Sequence, residues 1–151
     1  MAIKHMANLS TLFLRAALGL SFLSAVADRF GLWGAPGQNN VAWGDFGHFV
    51  AYVATLNWFA PSRLIPVLAW VATVAETTLG IALLIGIFTR VAALLSGTML
   101  MFFALAMTFA LGIKAPLDFS VFSASAGAFL LAAQSHYPFS LDSWWRSRTR
   151  R

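Results

Sequence analysis

The stretch Val91–Leu111 reads VAALLSGTMLMFFALAMTFAL, which is 21 residues without one charged side chain. A helix of about 20 apolar residues is long enough to cross the hydrocarbon core of a bilayer. Three more apolar segments accompany it, at residues 9–27, 64–87 and 119–134. Because each backbone amide in lipid must find its partner within its own segment, these runs predict helices. The predicted fold class is therefore all-α, an integral membrane four-helix bundle in which residues 1–151 form a single membrane domain.

The composition agrees with lipid as the solvent of this chain. Hydrophobic residues make up 60% of the sequence and charged residues only 10%, whereas soluble domains have roughly 45–50% apolar and about 25% charged residues. A soluble enzyme, a nucleic-acid-binding protein and a disordered chain are all disfavoured. The chain has no cysteine, which excludes disulfides, thiol chemistry, iron–sulfur clusters and cysteine-based zinc sites within it.

The segment between the first two predicted spans contains a different kind of helix. Residues 31–44 are rich in glycine and asparagine, which indicates a loop. Apolar residues then recur at helical spacing over 46–59, with His48 on the opposite, polar face, and Asp45 is placed to cap this helix. The pattern predicts an amphipathic helix in the first extracytoplasmic loop, lying at the membrane interface.

Basic residues predict the orientation of the bundle. Four spans put both termini on one side, which then holds six Lys and Arg residues against three on the other. The six are Lys4, Arg90, Arg146, Arg148, Arg150 and Arg151, and the three are Arg29, Arg63 and Lys114. By the positive-inside rule, both termini and the basic tail 137–151 are expected in the cytoplasm. A second interpretation of the tail arginines is that they bind anionic lipid.

Residues 4–27 can also be interpreted as a cleaved signal peptide. Lys4 and Arg15 would form its basic region, and Ala25-Val26-Ala27 its cleavage site. A retained helix is preferred, because the apolar run begins before Arg15 and three further apolar segments follow it. Sequencing the amino terminus of the mature protein would distinguish the two.

The second span separates into two faces. One face carries small and polar residues, and the other carries branched apolar residues. The first set is Ala69, Ala72, Thr73, Glu76, Thr77 and Gly80, and the second is Val67, Val71, Val74, Ile81 and Ile85. Small residues allow helices to approach closely in lipid, so the first face is expected to pack inside the bundle.

Two ionisable side chains lie within predicted spans, Arg15 and Glu76. A charge inside a membrane is costly, so each is expected to face the interior and to have a partner. We therefore predict that Arg15 and Glu76 form an intramembrane polar pair, directly or through water. One interpretation is that the pair only fixes the register of the helices, since a paired charge needs no second role. The other is that Glu76 also binds a proton or a ligand.

The outer loop supplies most of the candidate ligand-binding residues. Aromatic rings beside a histidine and carboxylates would suit a quinone head, since they offer a donor to its carbonyl and a stacking surface. The candidates are Asp28, Arg29, Trp43 and His48, together with Arg90 from the turn between spans two and three. The alternative is an aromatic belt with a helix cap, in which Asp28 and Arg29 form an interfacial ion pair. Thr89 is expected to cap the third span.

The sequence carries no motif for catalysis or metal binding. No Ser-His-Asp spacing, phosphate-binding loop or dinucleotide glycine motif is present. The three histidines are isolated and lack metal-ligand spacing. We therefore expect no catalytic residue and no metal site.

Two blocks of sequence resemble the DoxX-like membrane proteins. The first is LRAALGL at 14–20, followed by Phe22-Leu23, and the second is ETTLGIALLIG at 76–86, followed by TRVAA at 89–93. The resemblance covers roughly residues 10–135. It implies a four-helix protein of the bacterial inner membrane, associated with membrane redox and oxidative-stress systems and with a quinone-linked oxidoreductase.

With this resemblance, the favoured function is a non-catalytic or accessory subunit of a quinone-linked membrane redox system that binds a lipophilic small molecule. Because the chain has no electron carrier of its own, a redox partner protein would have to supply electrons. Membrane lipids and a homo-oligomer are the other expected partners, and nucleic acid is not. The alternative is a membrane scaffold, or a lipid- or small-solute-handling protein, without enzymatic activity.

Overall fold

All the secondary structure of the described residues is helical, which confirms the predicted all-α class. The structure, a computed structural model, describes residues 2–149, with the side chains of residues 2, 4, 146 and 149 left undescribed. Helix accounts for 75% of the chain, and the described part contains no strand. The helices are α1 (Ala2–Arg29), α2 (Phe46–Leu56), α3 (Ile65–Ile85), α4 (Thr89–Leu111), α5 (Lys114–Asp118), α6 (Val121–Ala132) and α7 (Leu141–Thr149), with a short 3-10 turn at Ser62–Leu64 before α3.

Among the described residues, three segments are long and apolar enough to cross a membrane. They are His5–Arg29, Ser62–Ile85 and Thr89–Leu111, within or around α1, α3 and α4. The branched apolar face of α3 is exposed, with Val71 at 60% and Val74 at 58% of full exposure, whereas Thr73, Glu76 and Gly80 are buried. The predicted division of this helix into an inner and an outer face is confirmed. The outer face has the chemistry of lipid contact, and the chain is a helical membrane protein.

Helices α1 and α3 cross at a pair of glycines. A Cβ atom added to Gly19 would lie 2.9 Å from the carbonyl oxygen of Gly80, and one added to Gly80 would lie 3.1 Å from the carbonyl oxygen of Gly19. The two backbones therefore lie so close together that only small residues fit between them. This contact sets the register of α1 against α3 and so determines which polar side chains meet.

The fourth predicted helix, 119–134, is present as α6 but is two residues shorter at each end. Helix α5 ends at Asp118, Ser120 adopts a left-handed backbone conformation (φ 55°), and α6 occupies only 12 residues. Ser125 of α6 donates a hydrogen bond to the carbonyl oxygen of Gly97 in α4, over 2.8 Å. At about 1.5 Å per residue, α6 extends roughly 18 Å. It is therefore too short to match the three long helices in length.

Helix α2 packs on the first half of α3. Its buried residues Phe49 and Val53 form a cluster with Ile65 and Ala69 of α3. The predicted cap is confirmed, since the side chain of Asp45 accepts a hydrogen bond of 2.8 Å from the backbone N–H of His48. The helix ends at Leu56, three residues before the predicted boundary, because the chain turns at Asn57.

The tail forms a docked helix, α7, where the sequence indicated only a polar, basic extension. Asp142 accepts hydrogen bonds from the backbone N–H groups of Phe88 (2.9 Å) and Thr89 (2.7 Å), and its own N–H donates to the carbonyl oxygen of Gly86 (3.0 Å). The prediction that Thr89 caps α4 was therefore wrong. A carboxylate from the tail satisfies the free amides at this helix start, and the Thr89 side chain is buried.

Candidate functional site

The main polar cluster of the interior is built around Arg29, the last residue of α1. Its Nη2 lies 2.5 Å from Oε2 of Glu76, and its Nη1 donates a 2.9 Å hydrogen bond to the hydroxyl of Thr73. Thr73 and Glu76 share one face of α3, being three residues apart on a helix. Arg29 and Glu76 are only 2% and 3% exposed. The cluster is thus a buried ion pair with a hydroxyl attached to it.

Aromatic rings from the loop and from α2 cover the same guanidinium group. The Cζ atom of Arg29 lies 3.7 Å from the ring centre of Phe49 and 5.3 Å from that of Trp43. A cation over a ring face is attracted by the ring's negative quadrupole, and more strongly when water is excluded. Arg29 therefore connects the end of α1 to α3 and to α2 at once.

Asp28 makes its hydrogen bonds to the backbone of the outer loop and so holds that loop. One carboxylate oxygen accepts from the backbone N–H groups of Ala42 (2.8 Å) and Trp43 (3.4 Å), and the other accepts from that of Gly44 (3.1 Å). Gly44 has a φ of 72°, and a Cβ atom there would lie 2.4 Å from the nitrogen of Pro36. Only glycine fits at that position. The predicted ion pair between Asp28 and Arg29 was wrong, because consecutive residues on a helix point in different directions.

The structure also separates the two residues that were predicted to form the intramembrane pair. Arg15 is buried, but it donates to the carbonyl oxygens of Pro138 (3.0 Å) and Phe139 (2.7 Å), while Glu76 binds Arg29. The prediction that Arg15 would pair with Glu76 was therefore wrong. The glycine crossing of α1 and α3 fixes a register in which Arg15 reaches the end of α3.

A groove opens beside Asp28, on the face of α1 that points away from the bundle. Its volume is about 560 Å³. The lining residues are Leu20, Ser21, Ser24, Ala25, Asp28, Trp33, Asn40, Ala42 and Trp43. The indole N–H of Trp33 donates to the carbonyl oxygen of Ser24 over 3.0 Å, so the outer loop is fastened to the helix along the groove.

Two serine hydroxyls line this groove without a hydrogen-bond partner among the described residues. Most hydroxyls in the long helices bond to the carbonyl four residues earlier, as those of Thr73 and Thr77 do. Within the part of the chain that the structure describes, the hydroxyls of Ser21 and Ser24 make no such bond. An unpaired hydroxyl on an outward membrane face is free to bind a polar group on a lipophilic molecule.

The remaining candidates lie elsewhere. His48 is on the exposed side of α2, where its Nδ1 lies 2.9 Å from the carboxylate of Asp45. The pKa of Asp45 is lowered, chiefly because its carboxylate accepts the backbone N–H of His48 and secondly because it bonds to the His48 ring. Arg90 is exposed in the first turn of α4, at the far end of the bundle from Arg29. The structure therefore brings together Asp28, Arg29 and Trp43.

Sequence reasoning missed several residues of the site. Thr73 could have been found, because it lies three residues before Glu76 on the predicted inner face. Phe49 belongs to the apolar stripe of the predicted amphipathic helix, but nothing in the sequence shows that this stripe covers an arginine. Ser21, Ser24 and Trp33 become a group only when the loop folds back on α1.

The chemistry of the cluster is that of fixed, mutually neutralised charges. Arg29 and Glu76 neutralise each other's charge, although the Nε of Arg29 is buried without a hydrogen-bond partner among the described residues, and Asp28 accepts three backbone N–H groups. Among the described residues, no group of three or more His, Asp and Glu side chains could hold a metal ion. The cluster suits a structural clamp, and the groove beside it suits the binding of an uncharged polar head.

Comparison with known proteins gives one family. Residues 6–118 match the family described as methylamine utilisation protein MauE. No curated protein and no solved structure matches the chain. The match overturns the resemblance to DoxX-like proteins, which are a different family and were not found. The motif residues that carried that resemblance include Gly19 and Gly80, and their small size is what a close helix crossing requires in any such bundle.

Proposed function

The chain belongs to the MauE family of methylamine utilisation proteins, and from this membership we propose that it is a non-catalytic membrane component of methylamine utilisation that holds a lipophilic small molecule. The ligand part of the proposal depends on one observation, the outward groove of about 560 Å³ with its two unpaired serine hydroxyls. The membrane part follows from the three long apolar helices.

Four membrane crossings are the topology that we propose. Contacts of the tail with Gly86 and Arg15 support it, because they put the tail at the same end of the bundle as the α3–α4 turn. The chain must then return after α4, and α6, packed along α4, is the segment that does so. With α2 at the outer interface and the basic tail in the cytoplasm, this arrangement follows the positive-inside rule in a bacterial inner membrane.

The arrangement of charges supports this orientation further. Arg29 was counted among the basic residues of the outer side, but it is buried and paired with Glu76. That leaves Arg63 and Lys114 as the basic residues of the outer side, and Lys114 is paired with the exposed Asp118. The excess of basic residues on the cytoplasmic side is therefore larger than the sequence alone indicates.

A quinone is the class of ligand that we propose for the groove. Its carbonyl oxygens can accept from the hydroxyls of Ser21 and Ser24, its ring can lie against Trp33 or Trp43, and its tail can remain in lipid. A redox partner protein would supply electrons, since this chain has no cysteine and none of the dinucleotide motifs that hold a redox cofactor.

Native mass spectrometry of the full chain released from nanodiscs tests this proposal. We expect a bound quinone when ubiquinone or menaquinone is included in the lipid, and at least fivefold less in the double variant Ser21→Ala/Ser24→Ala. Ser123→Ala is the matched control, because that serine is exposed on α6, away from the groove. The same spectra report a homo-oligomer or a retained partner protein. Phospholipid alone, unchanged by added quinone, would argue against the ligand.

The cellular role is tested by deleting the gene in the native host. We expect loss of growth with methylamine as the sole nitrogen source and normal growth on ammonium. Restoration by the wild-type chain but not by Ser21→Ala/Ser24→Ala would support the groove as the working site. Unimpaired growth of the deletion strain on methylamine would contradict the proposal.

A membrane scaffold without a ligand is the second candidate function. One observation favours it, namely that Asp28, Arg29 and Glu76 all have partners inside the protein. If the protein is a scaffold, Ser21→Ala/Ser24→Ala should restore growth fully, whereas a variant that breaks the Arg29–Glu76 pair, such as Glu76→Gln, should not. The complementation experiment therefore separates the two candidates.

A further inference from the structure

A cluster of exposed aromatic residues lies at the tail end of the bundle, opposite to the groove. Phe88 begins the turn into α4, Phe139 precedes α7, and Trp144 and Trp145 are on α7. Their exposed fractions are 68%, 82%, 46% and 46%. Together with Leu141 and Arg148 they form what we call the tail-end surface. So much exposed aromatic area at one end of a molecule indicates an interaction site.

The tail-end surface is held rigidly. Asp142 binds the backbone N–H groups of Phe88 and Thr89, and Arg15 binds the two carbonyl groups that precede Ser140. Gly86 packs so closely on Ser140 that a Cβ atom on the glycine would lie 2.4 Å from the serine Cβ. The aromatic residues are therefore presented in a fixed arrangement and are not carried on a loose extension.

Two of these aromatic residues have a strained backbone, which costs the folded protein free energy. Phe88 and Phe139 have φ values of 45° and 51°, a region that disfavours bulky residues and that glycine adopts freely. Because both side chains are mostly exposed, packing within the protein does little to offset this cost. Contact with an apolar phase outside the protein would offset it.

The sequence next to these residues is basic. Arg148 stacks on Trp144, with its Cζ 3.9 Å from the ring centre. Arg146, Arg150 and Arg151 belong to the same stretch of sequence, and Arg90 is exposed beside Phe88. The acidic residue of α7, Asp142, is committed to the start of α4. Aromatic residues next to arginines are the composition of a surface that lies at the headgroups of a membrane.

We propose that the tail-end surface binds anionic phospholipid headgroups, with its aromatic rings in the interface and its arginines on the phosphates. Charge complementarity selects this occupant, since clusters of basic residues next to a membrane span attract anionic lipids. The inference does not depend on the groove or its ligand, which lie at the opposite end of α1. It gives the tail a role as a lipid contact in addition to its role as a topology signal.

Lipid retention by the full chain tests the proposal. The protein is reconstituted in nanodiscs of phosphatidylcholine with phosphatidylglycerol, transferred to mild detergent, and analysed for bound lipid by native mass spectrometry. We expect phosphatidylglycerol to be retained over phosphatidylcholine. The preference should fall about fivefold for each arginine removed in Arg146→Gln/Arg148→Gln, and it should weaken in high salt.

The matched control is Arg63→Gln/Lys114→Gln, which removes two positive charges at the opposite end and should leave the preference unchanged. A second variant, Phe88→Gly/Phe139→Gly, suits the backbone at both positions and therefore keeps the fold, and it should also lose retained phosphatidylglycerol. Equal retention of the two lipids by the wild type would overturn the proposal, as would an equal loss in the control. If the surface instead binds an acidic protein, the wild type should retain the two lipids equally.

Discussion

At the scale of single residues, the interior shows how few choices a charge has in lipid. The sequence places two arginines and one glutamate where they could meet. In the structure, Arg29 forms an ion pair with Glu76, and Arg15 donates to backbone carbonyl oxygens. Both solutions give the terminal nitrogens of a buried guanidinium an acceptor, one a carboxylate and one carbonyl oxygens. Which arginine takes the carboxylate depends on the register of α1 against α3, and that register follows from the glycine crossing.

Glu76→Gln should destabilise the protein strongly, because it leaves the charge of Arg29 buried without a counter-ion. Breaking a buried pair on one side costs about 3–5 kcal/mol, whereas replacing both partners by apolar residues is often close to neutral. We therefore expect Arg29→Leu/Glu76→Leu to recover most of the lost stability. Unfolding in mixed detergent micelles, followed by circular dichroism, measures both.

Asp118→Asn is the control for this experiment, since it removes the charge of an exposed pair with Lys114. Exposed pairs contribute at most about 1 kcal/mol. A loss of stability in Glu76→Gln no larger than in this control would show that the Arg29–Glu76 pair does not clamp α1 to α3.

The cap of α2 gives a prediction about pH. The pKa of Asp45 lies below its ordinary value of 3.8, chiefly because the carboxylate accepts the backbone N–H of His48. A depressed pKa in the folded state means that the cap contributes stability above the unfolded value and loses it as the pH falls through the folded value. The amide proton resonance of His48 should therefore titrate with a midpoint below 3.8. Asp45→Asn should abolish that titration while keeping the cap, and a midpoint at or above 3.8 would contradict the assignment.

At the scale of elements, the start of α4 depends on a residue far away in the sequence. A helix start leaves backbone N–H groups without partners, and here Asp142 supplies the acceptor across 53 residues. Local signals cannot reveal such a cap, and for this reason the sequence pointed to Thr89. The same contact fastens the tail, so one carboxylate serves two elements.

Asp142→Ala should loosen both elements. Loss of an N-cap costs about 0.5–2 kcal/mol, and the carboxylate here also lies favourably at the positive end of the α4 dipole. Hydrogen–deuterium exchange should become faster at residues 88–92 and over α7, and stay unchanged over α2. Ser147→Ala, on the exposed side of α7, is the control. Unchanged exchange at 88–92 in Asp142→Ala would show that Asp142 does not cap α4, and unchanged exchange over α7 would show that this contact does not hold the tail.

At the scale of the whole molecule, much of the fold could be predicted and little of the site could. Apolar length and small-residue faces predicted α1, α3, α4 and the inner face of α3, since both depend only on the local sequence and on lipid as the solvent. The turn at Ser120 that precedes α6, and the covering of Arg29 by α2, depend on tertiary contacts. The family itself was also out of reach, because apolar helices with glycine crossings look alike between families.

The proposed path of the chain through the membrane makes the last prediction. Helix α6 has 12 residues and is too short to cross alone, but the tail lies with Gly86 and Arg15 at one end. If α6 completes a fourth crossing, the outer loop and the tail must be on opposite sides. Because the chain has no cysteine, single cysteines can report this without background.

Asn39→Cys in the loop and Ser147→Cys in the tail are both exposed positions. With a membrane-impermeant maleimide on intact spheroplasts, we expect the first to be labelled at once and the second only after the membrane is permeabilised. Labelling of both from outside would mean that α6 does not cross, and the tail would then have to leave Arg15 and Gly86. Labelling of Ser147→Cys alone would keep four crossings but reverse the orientation, and the arginines of the tail would then face away from the anionic leaflet that their charge favours.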